Sequence, residues 1–130
     1  MGPVNWIAVA LAAAAALAMF VLWNGRLFRP TANGLGAPMQ RPRRYGIAAG
    51  AFAFAAVMMG HNFARIGAET LSAKPWLYFM QTGGVAVFFV IPAVWLTQSR
   101  AAVEPMRRVI DAGLWLLAYL AMGLVFWALG

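Results

Sequence analysis

The fold of this protein is decided first at residues 4–23, VNWIAVALAAAAALAMFVLW, a run that contains no charged side chain. Its length is enough to cross about 30 Å of hydrocarbon as an α-helix. A helix is expected because lipid offers no partners to backbone N–H and C=O groups, which must then bond within the segment. Trp6 and Trp23 lie near the two ends, and tryptophan favours the headgroup boundary.

Three further apolar segments follow, at about 45–66, 75–97 and 109–129. The 130 residues are 64% hydrophobic and 10% charged, with a mean hydropathy of +0.76, whereas a soluble domain carries more charge. The connecting stretch 24–44 is rich in Gly, Pro and Asn, which oppose regular structure. We therefore predict an all-α, integral membrane four-helix bundle that occupies residues 1–130 as a single transmembrane domain.

The basic residues predict the orientation of the bundle. Eight arginines lie in the two loops on one side of the membrane, whereas only two basic residues, Arg65 and Lys74, lie on the other side. The positive-inside rule then places both termini on the periplasmic side of a bacterial inner membrane and loop 24–44 in the cytoplasm. Anionic lipid headgroups are the expected partners of the arginines, and nucleic acid is not. The eight are Arg26, Arg29, Arg41, Arg43, Arg44, Arg100, Arg107 and Arg108.

The two halves of the chain resemble one another. NWIAV opens the first hairpin and PWLYF the second, and each second span follows a double arginine and carries a late Met-Gly. Arg44 precedes Gly60 by nearly the same distance as Arg108 precedes Gly123. These features favour two tandem, parallel-repeat hairpins. The alternative is that membrane hairpins in general share tryptophan belts and basic loops.

One face of the second span is lined by small residues at steps of three and four. Small side chains let helix backbones approach closely, which provides packing where lipid removes the hydrophobic driving force. We therefore expect the second span to be the central helix of the bundle. The Phe, Leu and Trp side chains of the fourth span are expected to face lipid or another subunit. The stripe consists of Ala49, Ala53, Ala56, Gly60, Ala64 and Gly67.

Polar side chains recur at one depth, near the periplasmic boundary. Asn5, His61, Asn62 and Gln81 all lie within a few turns of that end of their spans. Side-chain hydrogen bonds between membrane helices stabilise packing, and intramembrane polar residues also mark functional sites. The layer is therefore expected to be structural, with a small ligand, lipid headgroup or proton site as the alternative.

A second candidate site lies at the cytoplasmic start of the fourth span. Glu104, Arg107, Arg108 and Asp111 are three and four residues apart, the spacing at which side chains pair on a helix surface. A charged collar is the simpler interpretation. If Asp111 points into the bundle, it becomes a candidate functional residue.

Several kinds of chemistry lack the residues they need. The chain has one histidine, no cysteine and three carboxylates, so it offers no usual metal ligand set and no paired acid–base carboxylates. A haem with two histidine ligands is excluded in a monomer, although a symmetric dimer could share one between two His61 rings. Phosphate-binding loops and hydrolase motifs are also missing from the sequence. We expect no enzyme, no cofactor and no metal.

The opening NWIAV…LWNGRLF resembles an uncharacterised family of small bacterial inner-membrane proteins, known as a domain of unknown function. The family typically opens its last span with Ile-Asp-Ala-Gly and closes it with Met-Gly, and here these are residues 110–113 and 122–123. The resemblance implies four helices and no established activity. It also makes Asn5, Trp6 and Asp111 better candidates.

These observations predict a non-enzymatic membrane protein that acts through helix packing. It would form a homo-oligomer or serve as an accessory or assembly subunit of a larger membrane complex. One alternative is a small channel or transporter, in which an oligomer gathers the layer of His61 and Gln81 around a pathway. A weaker alternative is a protein that binds a lipid or a hydrophobic cofactor.

Overall fold

The computed structural model describes residues 2–28 and 41–130. Residues 29–40 of the predicted loop 24–44, with Arg29, lie outside the described residues, as does the side chain of Arg41.

The described chain is built of helices and contains no strand. Four stretches are long and apolar enough to cross a membrane: Trp6–Leu27, Arg43–Ile66, Trp76–Arg100 and Pro105–Leu129. The predicted all-α membrane bundle is confirmed. In chain order the helices are α1 (Trp6–Leu22), α2 (Arg41–Ile66), α3 (Ala68–Ala73), α4 (Trp76–Val85), α5 (Ile91–Arg100) and α6 (Pro105–Leu129).

Local sequence explains where several helices begin and end. The Asn5 side chain accepts a hydrogen bond from the Ala8 N–H and so caps α1. Gly67 separates α2 from α3 with a φ of +90°, a conformation that glycine adopts without steric cost. Pro105 opens α6, where its missing N–H has no intrahelical acceptor to lose.

Two π-helical turns interrupt the spans, at Trp23–Leu27 after α1 and at Ala86–Val90 between α4 and α5. The second turn comes just before Pro92, which cannot donate a hydrogen bond to the Phe88 carbonyl and whose ring would clash with it in a regular α-helix. A wider turn relieves both problems, so the proline accounts for the irregularity.

The centre of the bundle is the pair α1 and α6, which corrects the expectation that α2 is the central helix. Of the large apolar side chains of the fourth span, Leu124 and Trp127 are exposed as expected, whereas Phe126 is buried. Ala8, Ala12 and Ala16 are fully buried and form a smooth face on α1. Helix α6 packs against α1 and also against α4 and α5, whereas α2 packs mainly on α1. Alanines spaced four apart allow neighbouring helices to approach α1 closely.

The inward face of α2 differs from the predicted stripe over its first half. Ala56 and Gly60 are buried as expected, and Ala64 and Gly67 are half-buried, but Ala49 is only half-buried and Ala53 is exposed. Phe52 takes the inward position because its ring fills the space between α1 and α6, against Phe20 and Trp115. The buried row is Ala48, Phe52, Ala56, Met59, Gly60 and Phe63.

The late glycine of each hairpin packs against the span that precedes it. Gly60 packs against Val9 of the preceding span, and Gly123 packs against Thr82 of its own preceding span. Val9 lies three residues after Trp6, whereas Thr82 lies six residues after Trp76, so the two contacts are not at matching positions and the repeat stays a prediction.

The bundle has two chemically distinct ends. We call the end with the Trp23–Leu27 turn and the start of α6 the basic end, and the end with the start of α1 and the last turn of α6 the terminal end. Hydrogen bonds from Trp23 to Ile110 and from Asn5 to Leu129 join α1 to α6 at these two ends.

Candidate functional site

The most elaborate polar arrangement lies at the basic end and is centred on Arg107 and Asp111. The two side chains form an ion pair at 3.0 Å, one helical turn apart on α6, and are 24% and 18% exposed. The same guanidinium donates to the side-chain oxygen of Asn24 at 3.0 Å and to the Phe28 carbonyl at 3.4 Å. Arg107 therefore joins the end of the first span to the start of the last.

Asp111 joins the third span to the same cluster. The Gln98 amide donates to the second carboxylate oxygen of Asp111 at 2.6 Å, so both oxygens of Asp111 are occupied. Gln98 lies in the last turn of α5, and its own amide oxygen is buried with no hydrogen-bond donor among the described residues. We call Asn24, Gln98, Arg107 and Asp111 the basic-end network.

The π-helical turn after α1 supplies Asn24 to this network. Asn24 is 5% exposed, and its amide nitrogen donates to the Phe20 carbonyl while its oxygen accepts from Arg107. The indole of Trp23 donates to the Ile110 carbonyl at 3.2 Å and lies over Gly113, where a Cβ would be 3.2 Å from the ring. Residues of the Ile-Asp-Ala-Gly motif therefore hold the end of the first span.

The other two members of the predicted charge cluster lie outside the basic-end network. Arg108 donates to the Val103 carbonyl at 2.8 Å, and its guanidinium lies over the Trp95 ring. Glu104 is exposed at the start of α6, and no ion pair joins it to the part of the chain that the structure describes. The four charged residues are regularly spaced along α6, yet their environments differ, because the neighbouring spans cover only one side of this helix.

The basic-end network is suited to holding helices together rather than to catalysing a reaction. Arg107 and Asp111 direct their charges at each other and at fixed amide and carbonyl partners, which is how a partly buried charge is stabilised. Three spans end within this cluster, so the arrangement holds their ends together. Sequence reasoning missed Asn24 and Gln98, although each is the first strongly polar side chain at the basic end of its span.

The predicted polar layer at the terminal end is not a connected cluster in the structure. Asn5 caps α1 and donates to the Leu129 carbonyl of α6 at 3.0 Å. His61 is exposed, with Nδ1 2.9 Å from the Val57 carbonyl and its ring edge-on to Trp6. Asn62 and Gln81 are half-buried, and no hydrogen bond links the four side chains.

Helix geometry explains why these four side chains do not meet. Position along a helix sets the depth of a side chain, whereas the buried face sets the direction in which it points. Gly60 faces α1, so the next residue, His61, is rotated by about 100° toward the outside of the bundle. A shared depth therefore did not bring His61 and Gln81 together.

Thr82 lies at the same depth as Gln81 and is a buried polar residue that the predicted layer did not include. It is fully buried, its hydroxyl donates to the Tyr78 carbonyl at 2.8 Å, and Gly123 packs against it. A threonine four residues after a carbonyl can satisfy its hydroxyl within its own helix, so it needs no polar partner elsewhere.

Residues 2–28 and 41–130 contain no group of three His, Cys, Asp or Glu side chains that could hold a metal ion. No curated protein and no solved structure matches the chain. A family model described as a protein of unknown function (DUF1761) matches residues 7–127, which is nearly the whole chain. The resemblance seen in the first and last spans is thereby confirmed, and the chain belongs to the DUF1761 family of proteins of unknown function.

Proposed function

We propose that this protein is a non-enzymatic membrane protein that acts through helix packing and forms a parallel homo-oligomer through α2. The observation that carries the proposal is an unused pair of glycines. Gly46 and Gly50 are exposed, and a Cβ built at either position would meet no atom within 4 Å. Neither glycine is needed for packing within the protomer.

The two glycines are four residues apart in the sequence GIAAG and so lie on one face of α2. A Gly-x-x-x-Gly pair in an apolar helix lets a second helix approach closely enough for dense van der Waals contact. Ala53, also exposed, continues the small surface. Next to it, Phe54 is 82% exposed and supplies a large side chain at the edge of the contact.

The charge pattern favours a second copy of the same chain as the partner. The strong arginine bias predicts a single orientation for every copy, so copies meet with their α2 helices parallel. Parallel helices related by a two-fold axis along the membrane normal present the same face to each other, as Gly-x-x-x-Gly pairs require.

Arg43 adds a condition to this proposal. It is exposed and lies three residues before Gly46 on the same side of α2. Two parallel copies would bring their Arg43 side chains near each other at the basic end, where like charges repel. Anionic headgroups between them would offset the repulsion. We therefore expect tighter association in membranes that contain anionic lipid.

A pathway through the protomer is disfavoured, which places the channel or transporter second. The buried side chains of the described residues are apolar except for Asn24 and Thr82, and both of these bond within the protein. A pathway for a transported solute would have to run between the copies of an oligomer. Solute flux into liposomes tests this second function separately.

The experiment measures energy transfer between labelled copies in vesicles with and without phosphatidylglycerol, for the wild type, Gly50→Leu and Gly84→Leu. Gly84 is the matched control, since it is also in a span and also meets no atom within 4 Å. We expect the wild type and Gly84→Leu to associate, and Gly50→Leu to raise the dissociation constant about tenfold.

Association of Gly50→Leu equal to that of the wild type would reject α2 as the contact. A wild-type protein that stays monomeric, yet co-purifies stoichiometrically with a different membrane protein, would reject the homo-oligomer and favour the accessory subunit.

A further inference from the structure

The structure assigns a binding pocket at the terminal end to an apolar molecule that carries a carbonyl oxygen. The pocket has a volume of about 230 Å³ and is partly open. Its walls come from the start of the chain, from the last turns of α2 and α6, from α3 and from the first turn of α4. They include Phe63, Ala64, Ala68, Leu71, Tyr78 and Phe126.

Three buried aromatic rings make one wall of the pocket rigid. The Phe63 ring centroid lies 4.8 Å from that of Tyr78 and 5.0 Å from that of Phe126. All three residues are less than 7% exposed, so packing on their far sides fixes their positions. A wall of interlocked rings gives a preformed apolar surface, which lowers the entropic cost of binding.

The volume sets the size of the ligand. An apolar cavity of about 150 Å³ in a protein interior stays dry and takes up benzene, whereas drug-sized ligands need at least about 300 Å³. At about 230 Å³ the pocket fits one ring with a short substituent, or a short stretch of an acyl chain. Its position near the ends of the spans is the depth at which hydrocarbon gives way to headgroups.

The Tyr78 hydroxyl sets the chemistry of the ligand. No hydrogen bond ties this hydroxyl to another group in the described chain, and it lies beside Gly130 at the wall of the pocket. The other polar side chain at the pocket, Asn5, already bonds to Ala8 and Leu129. A phenol without a protein partner is a donor for an acceptor on the ligand, and a carbonyl on an apolar body meets both requirements. Such a carbonyl is available from a glycerolipid ester or from a free apolar ketone.

The test uses two probes, 4-fluoroacetophenone and fluorobenzene, titrated by ¹⁹F NMR into the protein in phosphatidylcholine nanodiscs, with empty nanodiscs subtracted. Ala68 is an exposed residue of α3 that forms part of the pocket wall, so the ring introduced by Ala68→Phe should occupy the pocket. Ala73→Phe is its control, because Ala73 is exposed on the same helix and is not part of the pocket wall. Tyr78→Phe removes the hydroxyl and keeps the ring.

We expect saturable binding of fluoroacetophenone to the wild type and to Ala73→Phe, and its loss in Ala68→Phe. Tyr78→Phe should weaken fluoroacetophenone binding about fivefold and leave fluorobenzene unchanged. Native mass spectrometry separates the two sources. One glycerolipid per chain, kept by the wild type and lost by Ala68→Phe, assigns the lipid ester, and probe binding without retained lipid assigns the free ketone.

Two results would overturn the proposal. One is the absence of saturable binding by either probe, or binding that survives Ala68→Phe. The other is fluoroacetophenone binding that Tyr78→Phe does not change, which would remove the carbonyl from the assignment.

Discussion

Among single residues, the glycines of this chain fall into two groups. Some allow a neighbouring helix to approach closely, and others make no such contact. A Cβ on Gly60, Gly83 or Gly123 would overlap a neighbouring helix, whereas Gly50 and Gly84 face open space. The sequence marks Gly60 and Gly123 by their Met-Gly context, but nothing in it distinguishes Gly83 from Gly84. The difference arises because two consecutive helical residues point about 100° apart, and only one can face the adjoining span.

The contrast predicts the effect of adding one methyl group. Gly123→Ala should reduce the free energy of unfolding by about 1–3 kcal/mol, because the new Cβ overlaps the Thr82 hydroxyl and lies 3.2 Å from the Tyr78 carbonyl oxygen. Gly84→Ala should be neutral or stabilise by about 0.5–1 kcal/mol through helix propensity. Denaturation in mixed detergent micelles measures both, and equal stabilities would contradict the close approach at Gly123.

Two acids of the predicted charge cluster should respond differently to neutralisation. Asp111→Asn removes the ion pair to Arg107 and weakens the bond from Gln98, and should cost about 1–3 kcal/mol. Glu104→Gln should change stability by less than about 0.5 kcal/mol, because Glu104 is exposed and unpaired among the described residues. The same denaturation assay compares them. A larger loss for Glu104→Gln would show that the basic-end network does not hold the spans together.

At the scale of the element, α2 has two faces with different roles. Its inward row fills the space beside α1 with Phe52, while the opposite side presents Gly46, Gly50 and Phe54 to the membrane. Sequence periodicity identified one stripe of small residues, but alanine and glycine recur on more than one side of this helix. It could not decide which side faces the protein, since hydrophobic residues occur all round a helix buried in lipid.

Two phenylalanines of α2 test this assignment. Phe52→Ala should destabilise the bundle by about 1–3 kcal/mol, because it leaves a cavity against Phe20 and Trp115. The loss should be smaller than in a water-soluble core, since lipid supplies no hydrophobic transfer term. Phe54→Ala, at an 82% exposed position, should be within about 0.5 kcal/mol of the wild type. A larger effect of Phe54→Ala in monomeric micelles would reverse the assignment of the two faces.

At the scale of the whole molecule, the predicted orientation follows from charge and can be tested without disturbing the core. The chain has no cysteine, so single cysteines report directly. Ser72 in α3 and Ser99 in α5 are both exposed and lie at opposite ends of the bundle. A membrane-impermeant maleimide should label Ser72→Cys in intact bacteria and label Ser99→Cys only after the membrane is permeabilised. The reverse pattern would place the termini in the cytoplasm.

The extent of the fold that could be predicted follows from which interactions are local. Asn5 as a cap, Pro105 as a helix start and Gly67 as a break depend on neighbours within a few residues, and the four apolar runs depend only on length and composition. The pairing of Arg107 with Asp111 was accessible from their spacing. The contribution of Asn24 and Gln98 was not, because each meets α6 only when three spans pack together.

A helical membrane protein with four spans and one strongly basic end follows from the amino-acid sequence alone, because in lipid a backbone must satisfy its own hydrogen bonds and a long apolar run has one stable form. Three features exist only in the packed bundle: α1 and α6 form its centre, His61 points outward, and a pocket lies beside Phe63 and Tyr78. The depth of a side chain in the membrane depends on its position along its own helix. Direction around that helix is set by the shapes of its neighbours, and these act only after the chain has folded.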